Sequence, residues 1–295
     1  MTSAAPGDLA ATAPLLEAVN VTKSYGPRRS FGPRPAVLAL DNVSMQVHAG
    51  DRLAIVGESG SGKSTLARLF LALEEPTAGE IRFEGATLDL RRGAELANLR
   101  RAVQIVFQDP MGSLDPRMSI GESVAEPLRA LRIAGDHKAR VDELLNAVGL
   151  SSSAARRYPH QFSGGQRQRI AIARALAPRP RVLVADEAVS ALDVSVRAQV
   201  LNLIDDLVDR FGLTLVFISH DLAVVRHLCT RVAVLYRGHL VEQGPAEQIY
   251  QSPRHAYTRA LLQAVPRLAG PPPRELAATA THAPPPQPGT RPPGS

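Results

Sequence analysis

The stretch Gly57-Glu-Ser-Gly-Ser-Gly-Lys-Ser64 constrains this chain more than any other. It satisfies G-x-x-x-x-G-K-S at every defined position. It follows "RLAIVG" (Arg52 to Gly57), which reads as a buried strand, and a helix is expected from about Lys63. Strand, glycine-rich loop and helix, in that order, form the setting in which such a loop cradles phosphate. The glycines let backbone N–H groups turn inward, and the helix N-terminus behind them adds positive potential. Lys63 is expected to reach the β- and γ-phosphates, and the Ser64 hydroxyl to reach Mg²⁺. Glu58, Ser59, Gly60, Ser61, Gly62 and Thr65 complete the loop.

Three more short apolar runs read as buried strands: "QIVFQD" (Gln104 to Asp109), "RVLVAD" (Arg181 to Asp186) and "TLVFISH" (Thr214 to His220). Runs this short and this apolar suit a parallel sheet covered on both faces. "RVAVLYRGHLVEQG" (Arg231 to Gly244) reads as a hairpin turning at Arg237-Gly238. From about 110 to 177 the pattern is helical. That block reads as a helical subdomain inserted between two strands of an α/β core. The Ala- and Pro-rich ends, 1–14 and 267–295, have little to bury and are expected to be disordered.

The metal side of a phosphate site is expected at the end of "RVLVAD". Asp186 falls at the carboxyl end of a strand, where α/β sheets place ligands. Adjacent Glu187 allows a division of labour, one carboxylate on Mg²⁺ and the other on the attacking water. His220 emerges beside Asp186 if their strands are neighbours. Gln108, closing "QIVFQD", reads either as a surface glutamine or as a group reaching Mg²⁺ or the water. Tyr25, in "KSYG", reads either as packing or as an aromatic for stacking on a base.

A second anion grip stands at "FSGGQRQRIAIARAL" (Phe162 to Leu176). Ser163 is placed to cap a helix whose positive end faces Gly164, Gly165 and Gln166. Those two glycines let a backbone approach a ligand closely, and Phe162 reads as packing. One chain thus carries two grips suited to one nucleotide.

Composition narrows the class. A single cysteine, Cys229, excludes an internal disulfide and a cysteine-ligated metal cluster built by this chain alone. It reads as a small buried residue. The net charge is +6. Three arginines and no acid lie between Gly26 and Ala36, and three arginines with one glutamate lie between Pro266 and Ser295. Most of the excess charge therefore sits in two Pro-rich stretches, and no nucleic acid partner is expected. No apolar run approaches the roughly 20 residues needed to span a bilayer. The first residues lack the basic-then-apolar pattern of a secretory signal.

Together these pieces resemble the ATP-binding cassette family over roughly Leu15 to Val265. Gly57 to Ser64 is similar to its Walker A loop, and Tyr25 to its adenine-stacking aromatic. Gln108 is similar to the glutamine linking the site to the helical subdomain. Ser163-Gly164-Gly165-Gln166 resembles the signature motif, with Phe162 where leucine is commoner. Asp186 and Glu187 resemble the Walker B aspartate and the catalytic glutamate. Ser190-Ala191-Leu192-Asp193 is similar to the D-loop and His220 to the switch histidine. The resemblance implies a P-loop NTPase core of α/β class, with a mostly parallel sheet, an N-terminal antiparallel β region and an inserted α-helical subdomain. It implies ATP and Mg²⁺ as ligands, and two such domains paired head to tail. Each ATP then lies between one Walker A loop and the partner's signature helix, which accounts for the second grip.

Within that family, four stretches resemble the peptide and nickel importer branch: Phe107 to Arg129, Tyr158 to Leu176, Ala191 to Leu207, and an extension over about 244–266. The branch usually reads His-Pro-Tyr-Thr in the extension, where this chain has His255-Ala256-Tyr257-Thr258. Walker B is commonly followed by proline, where this chain has Ala188. The basic segment after Tyr25 is similar to the second of the two ATPase subunits such importers carry. The resemblance implies an ATPase subunit on the cytoplasmic face of the inner membrane, bound peripherally to two transmembrane permease subunits. It implies a homologous or identical second ATPase and, indirectly, an extracytoplasmic substrate-binding protein. Dipeptides and oligopeptides are the expected cargo, with nickel, opines or glutathione as alternatives. DNA-repair and translation-associated cassettes share the signature. The first kind inserts a long coiled coil for which Lys63 to Asp186 is too short, and the second usually carries two cassettes in one chain.

Overall fold

The computed structural model describes residues 13–26, 36–89, 91, 93–190 and 192–264. The expected disordered ends and the basic 26–36 stretch fall almost wholly outside the described residues. In chain order the described strands are β1 (Leu16–Tyr25), β2 (Val37–Val47), β3 (Arg52–Val56), β4 (Ala78–Phe83), β5 (Ala86–Thr87), β6 (Val103–Val106), β7 (Val182–Asp186), β8 (Thr214–Ser219), β9 (Arg231–Tyr236) and β10 (His239–Pro245). The helices are α1 (Lys63–Phe70), α2 (Gly93–Ala102), α3 (Pro110–Ser113), α4 (Ile120–Ala130), α5 (His137–Ala147), α6 (Gly164–Leu176), α7 (Val194–Phe211), α8 (Leu222–Leu228), α9 (Ala246–Gln251) and α10 (Ala256–Gln263).

Two sheets result. An antiparallel one runs β2-β1-β4-β5, and a six-stranded one runs β10-β9-β3-β8-β7-β6. In the second, β9, β3, β8, β7 and β6 are parallel, and only the hairpin strand β10 is antiparallel. This is the α/β fold with a mostly parallel sheet and an N-terminal antiparallel β region. The apolar runs are continuous because both faces of the parallel sheet are covered. Ala54, Val56, Leu183, Ala185, Leu215 and Phe217 face one core, with α4, α6 and α7. Leu53, Ile55, Val182, Val184, Val216 and Ile218 face the other, with α1 and the antiparallel sheet. Successive strand residues point to opposite faces, so each strand feeds both cores.

Between β6 and β7 the described chain is helical. Local chemistry starts these helices cleanly. Ser119 and Glu122 form a reciprocal capping box on α4, and Asp136 caps α5 by accepting from the Ala139 amide. One boundary differs from expectation. The strand read as Gln104 to Asp109 ends at Val106. It is the sheet's edge, paired only with β7, and its last partner is Ala185. Gln108 therefore lies in the loop beyond the strand, not at its closing position.

Register fixes what leaves the sheet together. Val56 pairs with Ser219, and Asp186 with Ile218. The loop at Gly57, the pair Asp186-Glu187, and His220 consequently emerge along one edge, from three adjacent strands.

Candidate active site

The phosphate loop is held by close backbone packing. Gly57 has φ +150°, and a Cβ there would lie 2.1 Å from the Leu235 carbonyl oxygen. Gly62 has φ +106°, and a Cβ would meet the Ala39 oxygen at 2.5 Å. No other residue type fits either position without moving backbone. Lys63 is buried, and its Nζ donates to the Gly57 and Glu58 carbonyl oxygens at 2.8 and 2.7 Å. Burial pushes its ammonium below the ordinary value, against the opposing pull of Glu187, Asp186 and Glu58. Glu58, Ser59 and Gly60 form the exposed rim of the loop, and Ser61 and Gly62 its buried wall.

Ser64, in the first turn of α1, donates through Oγ to Asp186 Oδ1 at 3.2 Å. Burial pushes the Asp186 carboxyl above its ordinary range, and adjacent Glu187 adds to the rise, while the Ser64 bond works against it. Two hard oxygen donors beside a phosphate loop fit Mg²⁺, which takes few protein ligands and completes its shell with water and phosphate. Among the described residues no group of three or more His, Cys, Asp or Glu gathers as a metal cage.

Glu187 adopts φ 47°, a left-handed conformation uncommon for a residue with a side chain. Its amide donates to the Ile218 oxygen at 3.0 Å, and its own oxygen accepts from the Ser190 amide and hydroxyl, each at 3.0 Å. The turn is pinned at both ends. His220 Nδ1 lies 3.3 Å from Glu187 Oε1. β7 and β8 are neighbours, as that placement requires.

Ser163 caps α6. Its Oγ accepts from the Gln166 amide at 3.3 Å, and Gln166 Oε1 accepts from the Ser163 amide at 3.0 Å. Phe162 is buried under the Arg157 guanidinium, 4.3 Å from the ring centroid, so its packing role holds. The glycines divide. At Gly164 an added Cβ would make only an ordinary contact, with Leu192 at 3.9 Å. Gly165 has a reason inside this chain, because a Cβ there would meet Val196 Cγ1 at 2.4 Å. The start of α6 thus rests against the first turn of α7. Among the described residues no hydrogen bond or ion pair joins 163–166 to 57–65.

Among the described residues Tyr25, Gln108 and Asp193 make no hydrogen bond or ion pair with this cluster. The Tyr25 hydroxyl donates to Glu74 Oε2 at 2.6 Å, with the Lys23 ammonium 5.1 Å from its ring. Gln108 is exposed in its loop. Asp193 is the N-cap residue of α7 and makes no side-chain cap bond. Cys229 is buried and its thiol is pushed up to about 12 by burial, so it is inert at neutral pH.

Two residues escaped the sequence reading. Arg197 reaches the Ser190 and Leu192 carbonyl oxygens at 3.4 and 3.3 Å, and Asp221 at 3.7 Å, tying the turn after Glu187 to the turn after His220. Tyr257, in the C-terminal extension, accepts at its hydroxyl from the Glu58 amide at 2.9 Å. The i+4 pattern of α7 marks no special role for Arg197, and the His255-Ala256-Tyr257-Thr258 stretch marks the extension without indicating that Tyr257 reaches the phosphate loop.

A glycine-rich loop between strand and helix, a hydrogen-bonded serine–aspartate pair and a glutamate–histidine pair along one sheet edge define a P-loop nucleotide-binding protein. The chain belongs to the ABC transporter family, whose model matches residues 40–190. A second model, the C-terminal region of oligopeptide/dipeptide transporters, matches residues 241–293. The chain is 52% identical over 260 residues to the dipeptide transport ATP-binding protein DppF of Haemophilus influenzae, covering 87% of this chain and 79% of that protein. It is 54% identical over 232 residues to the glutathione import ATP-binding protein GsiA of Escherichia coli, covering 78% of this chain and 37% of that one. Among solved structures it resembles the dimeric post-hydrolysis state of the ATP-binding cassette MJ0796 bound to ADP and Pi. That likeness has a TM-score of 0.69 at 31% identity and covers 78% of this chain and 98% of the other. The fold is that of an ATP-binding cassette ATPase.

Proposed function

We propose that this chain is the ATP-hydrolysing subunit of an importer that moves dipeptides or oligopeptides across the cytoplasmic membrane. The observation that carries the ATPase half is the 3.3 Å pairing of Glu187 with His220 beside the Ser64–Asp186 pair. The peptide half is supported by the C-terminal match over 241–293 and by the likeness to DppF.

Mg²⁺, when bound, would neutralise phosphate charge. The Gly57–Thr65 loop and Lys63 hold the phosphates, and Ser64, Asp186 and Gln108 are the residues that would hold the metal. Glu187 orients or deprotonates the attacking water, and His220 keeps Glu187 aimed and contacts the γ-phosphate. Tyr25 stacks on the adenine. Ser163, Gly164, Gly165 and Gln166, with Asp193, serve the site of a paired ATPase subunit. That reading is supported by the dimeric likeness and by the lack, among the described residues, of any hydrogen bond or ion pair between 163–166 and 57–65.

No helix among the described residues is long and apolar enough to cross a membrane. The transport path in this reading therefore belongs to two permease subunits, and this chain docks on their cytoplasmic side. A groove between the core and the helical region, lined by Leu73, Phe107, Pro127, Leu131 and Ala171, suits that contact. Leu73 and Phe107 are large apolar side chains left exposed there. An extracytoplasmic binding protein delivers the cargo.

The likeness to GsiA favours glutathione, a modified tripeptide, as the second reading. The test is uptake of labelled dipeptide, oligopeptide and glutathione in a strain lacking the gene, complemented with wild type or Glu187→Gln. Loss of peptide uptake restored only by wild type supports the first reading, and selective loss of glutathione uptake supports the second. Uptake unchanged for all three removes both.

A further inference from the structure

One peptide unit of the phosphate loop is held from both sides. The Gly57 carbonyl oxygen accepts from Lys63 Nζ at 2.8 Å. The N–H of the same peptide, on Glu58, donates to the Tyr257 hydroxyl at 2.9 Å. Tyr257 lies 199 residues further along the chain, in the first turn of α10.

The tyrosine is itself built in. Its ring stacks on Tyr236, at the end of β9, with centroids 4.0 Å apart and planes 29° from parallel. Its amide donates to the His255 Nδ1 at 3.2 Å. One step back, the Glu242 carboxylate on β10 accepts from the Arg254 and His255 amides at 2.7 and 3.0 Å. Those bonds fix the entry of α10 and so the height of the hydroxyl above the loop. β9 serves both partners, since the Leu235 carbonyl closes on Gly57 and Tyr236 carries the ring.

We propose that Tyr257 is a positioning residue for the phosphate loop, acting through the Gly57–Glu58 peptide and Lys63. The claim rests on the nucleotide reading above and extends it to the C-terminal extension. Glycine at 57 leaves that peptide free to rotate. Rotation carries the Gly57 oxygen away from Lys63 and turns an N–H toward the ammonium, like charge facing like. The Tyr257 hydroxyl opposes this by engaging the N–H on the outer side. The loop then meets phosphate already ordered, and the ordering cost is not charged to binding. Because Tyr257 touches neither Glu187 nor His220, it sets nucleotide affinity and leaves the chemical step alone. The effect is the same for ATP and ADP, since both carry the phosphates nearest the loop.

The full chain tests this by calorimetric titration with Mg·ATP and Mg·ADP, with melting temperature measured without nucleotide. Tyr257→Phe keeps the ring stack and removes only the acceptor. Its dissociation constants are expected to rise about threefold to tenfold for both nucleotides. Melting is expected to stay within about 1 °C, and turnover at saturating ATP to stay within about twofold. Wild-type affinity in Tyr257→Phe overturns the proposal, whether or not melting falls, because a purely structural tyrosine moves melting and leaves affinity. A fall in saturated turnover with unchanged affinity overturns it too. Lys63→Ala, run in parallel, separates this claim from the reading beneath it. If that variant loses ATP while Tyr257→Phe binds normally, only the positioning role falls. If Lys63→Ala binds like wild type, the phosphate-loop assignment falls and the positioning role with it.

Discussion

His220 Nδ1 stands 3.3 Å from Glu187 Oε1, joining the ends of two neighbouring strands across the mouth of the site. Glu187 sits on a turn fixed by backbone hydrogen bonds and holds a left-handed φ, while across His220 the Ser219 hydroxyl accepts from the Asp221 amide. Such strain persists where surrounding structure over-determines it.

Glu187→Gln keeps the shape of that side chain and removes its basicity. It is expected to bind ATP normally and to turn over about 10²–10⁴-fold more slowly. Phosphate release under single-turnover conditions, beside an ATP titration, checks this. Wild-type release removes Glu187 from the chemistry.

Asp186→Asn relieves a carboxylate that burial disfavours. The Asp186 carboxyl titrates above its ordinary 3.8, so its contribution to stability is full below that value and is lost as pH rises through the displaced titration. Asparagine carries no such penalty. The nucleotide-free variant is therefore expected to melt higher than wild type near neutral pH, with the gap narrowing as the medium is acidified. The same variant is expected to lose Mg²⁺-dependent hydrolysis by about 10²-fold or more. Melting curves at several pH values, with and without Mg·ATP, read both effects. A lower melting temperature at neutral pH contradicts the account.

Ser163→Arg blocks the exposed start of α6 without touching residues 57–65. Its own affinity for ATP is expected to remain within about twofold of wild type, since no bond links the two places. Combined with Glu187→Gln, it is expected to stay unpaired in ATP where the single variant pairs. Sedimentation velocity distinguishes the two, and ATP-dependent pairing of the double variant rules against a site shared between subunits.

Gly165→Ala places a methyl carbon 2.4 Å from Val196 Cγ1. Overpacking of this kind costs about 1–3 kcal/mol. Val196→Ala is expected to recover most of the loss, and a double-mutant cycle by denaturant unfolding measures the coupling. Additive effects show that Gly165 is not constrained by α7.

The parallel core was legible because each strand is short, apolar and bounded by turn residues, and a two-faced sheet needs nothing else. The cap at Ser163 was legible for a similar reason, since Ser-Gly-Gly-Gln carries both halves of a capping box within four residues. The end of β6 was not. Phe107 continues the apolar pattern past Val106, but pairing with β7 ends at Val106–Ala185 and Phe107 is left exposed. The constraint on Gly165 inside the chain comes from Val196, thirty-one positions on, and local pattern does not report that contact. Arg197 and Tyr257 escaped for the same physical cause. Each acts on backbone groups of another segment, and a carbonyl or amide looks alike at every position in a sequence.

The capping box on α6 leaves one donor uncommitted. Ser163 Oγ accepts from the Gln166 amide within the first turn. Among the described residues that hydroxyl gives no hydrogen bond of its own, and Ser163 is exposed. Folding the turn thus fixes the place of the oxygen while its proton stays free to swing toward an arriving anionic oxygen.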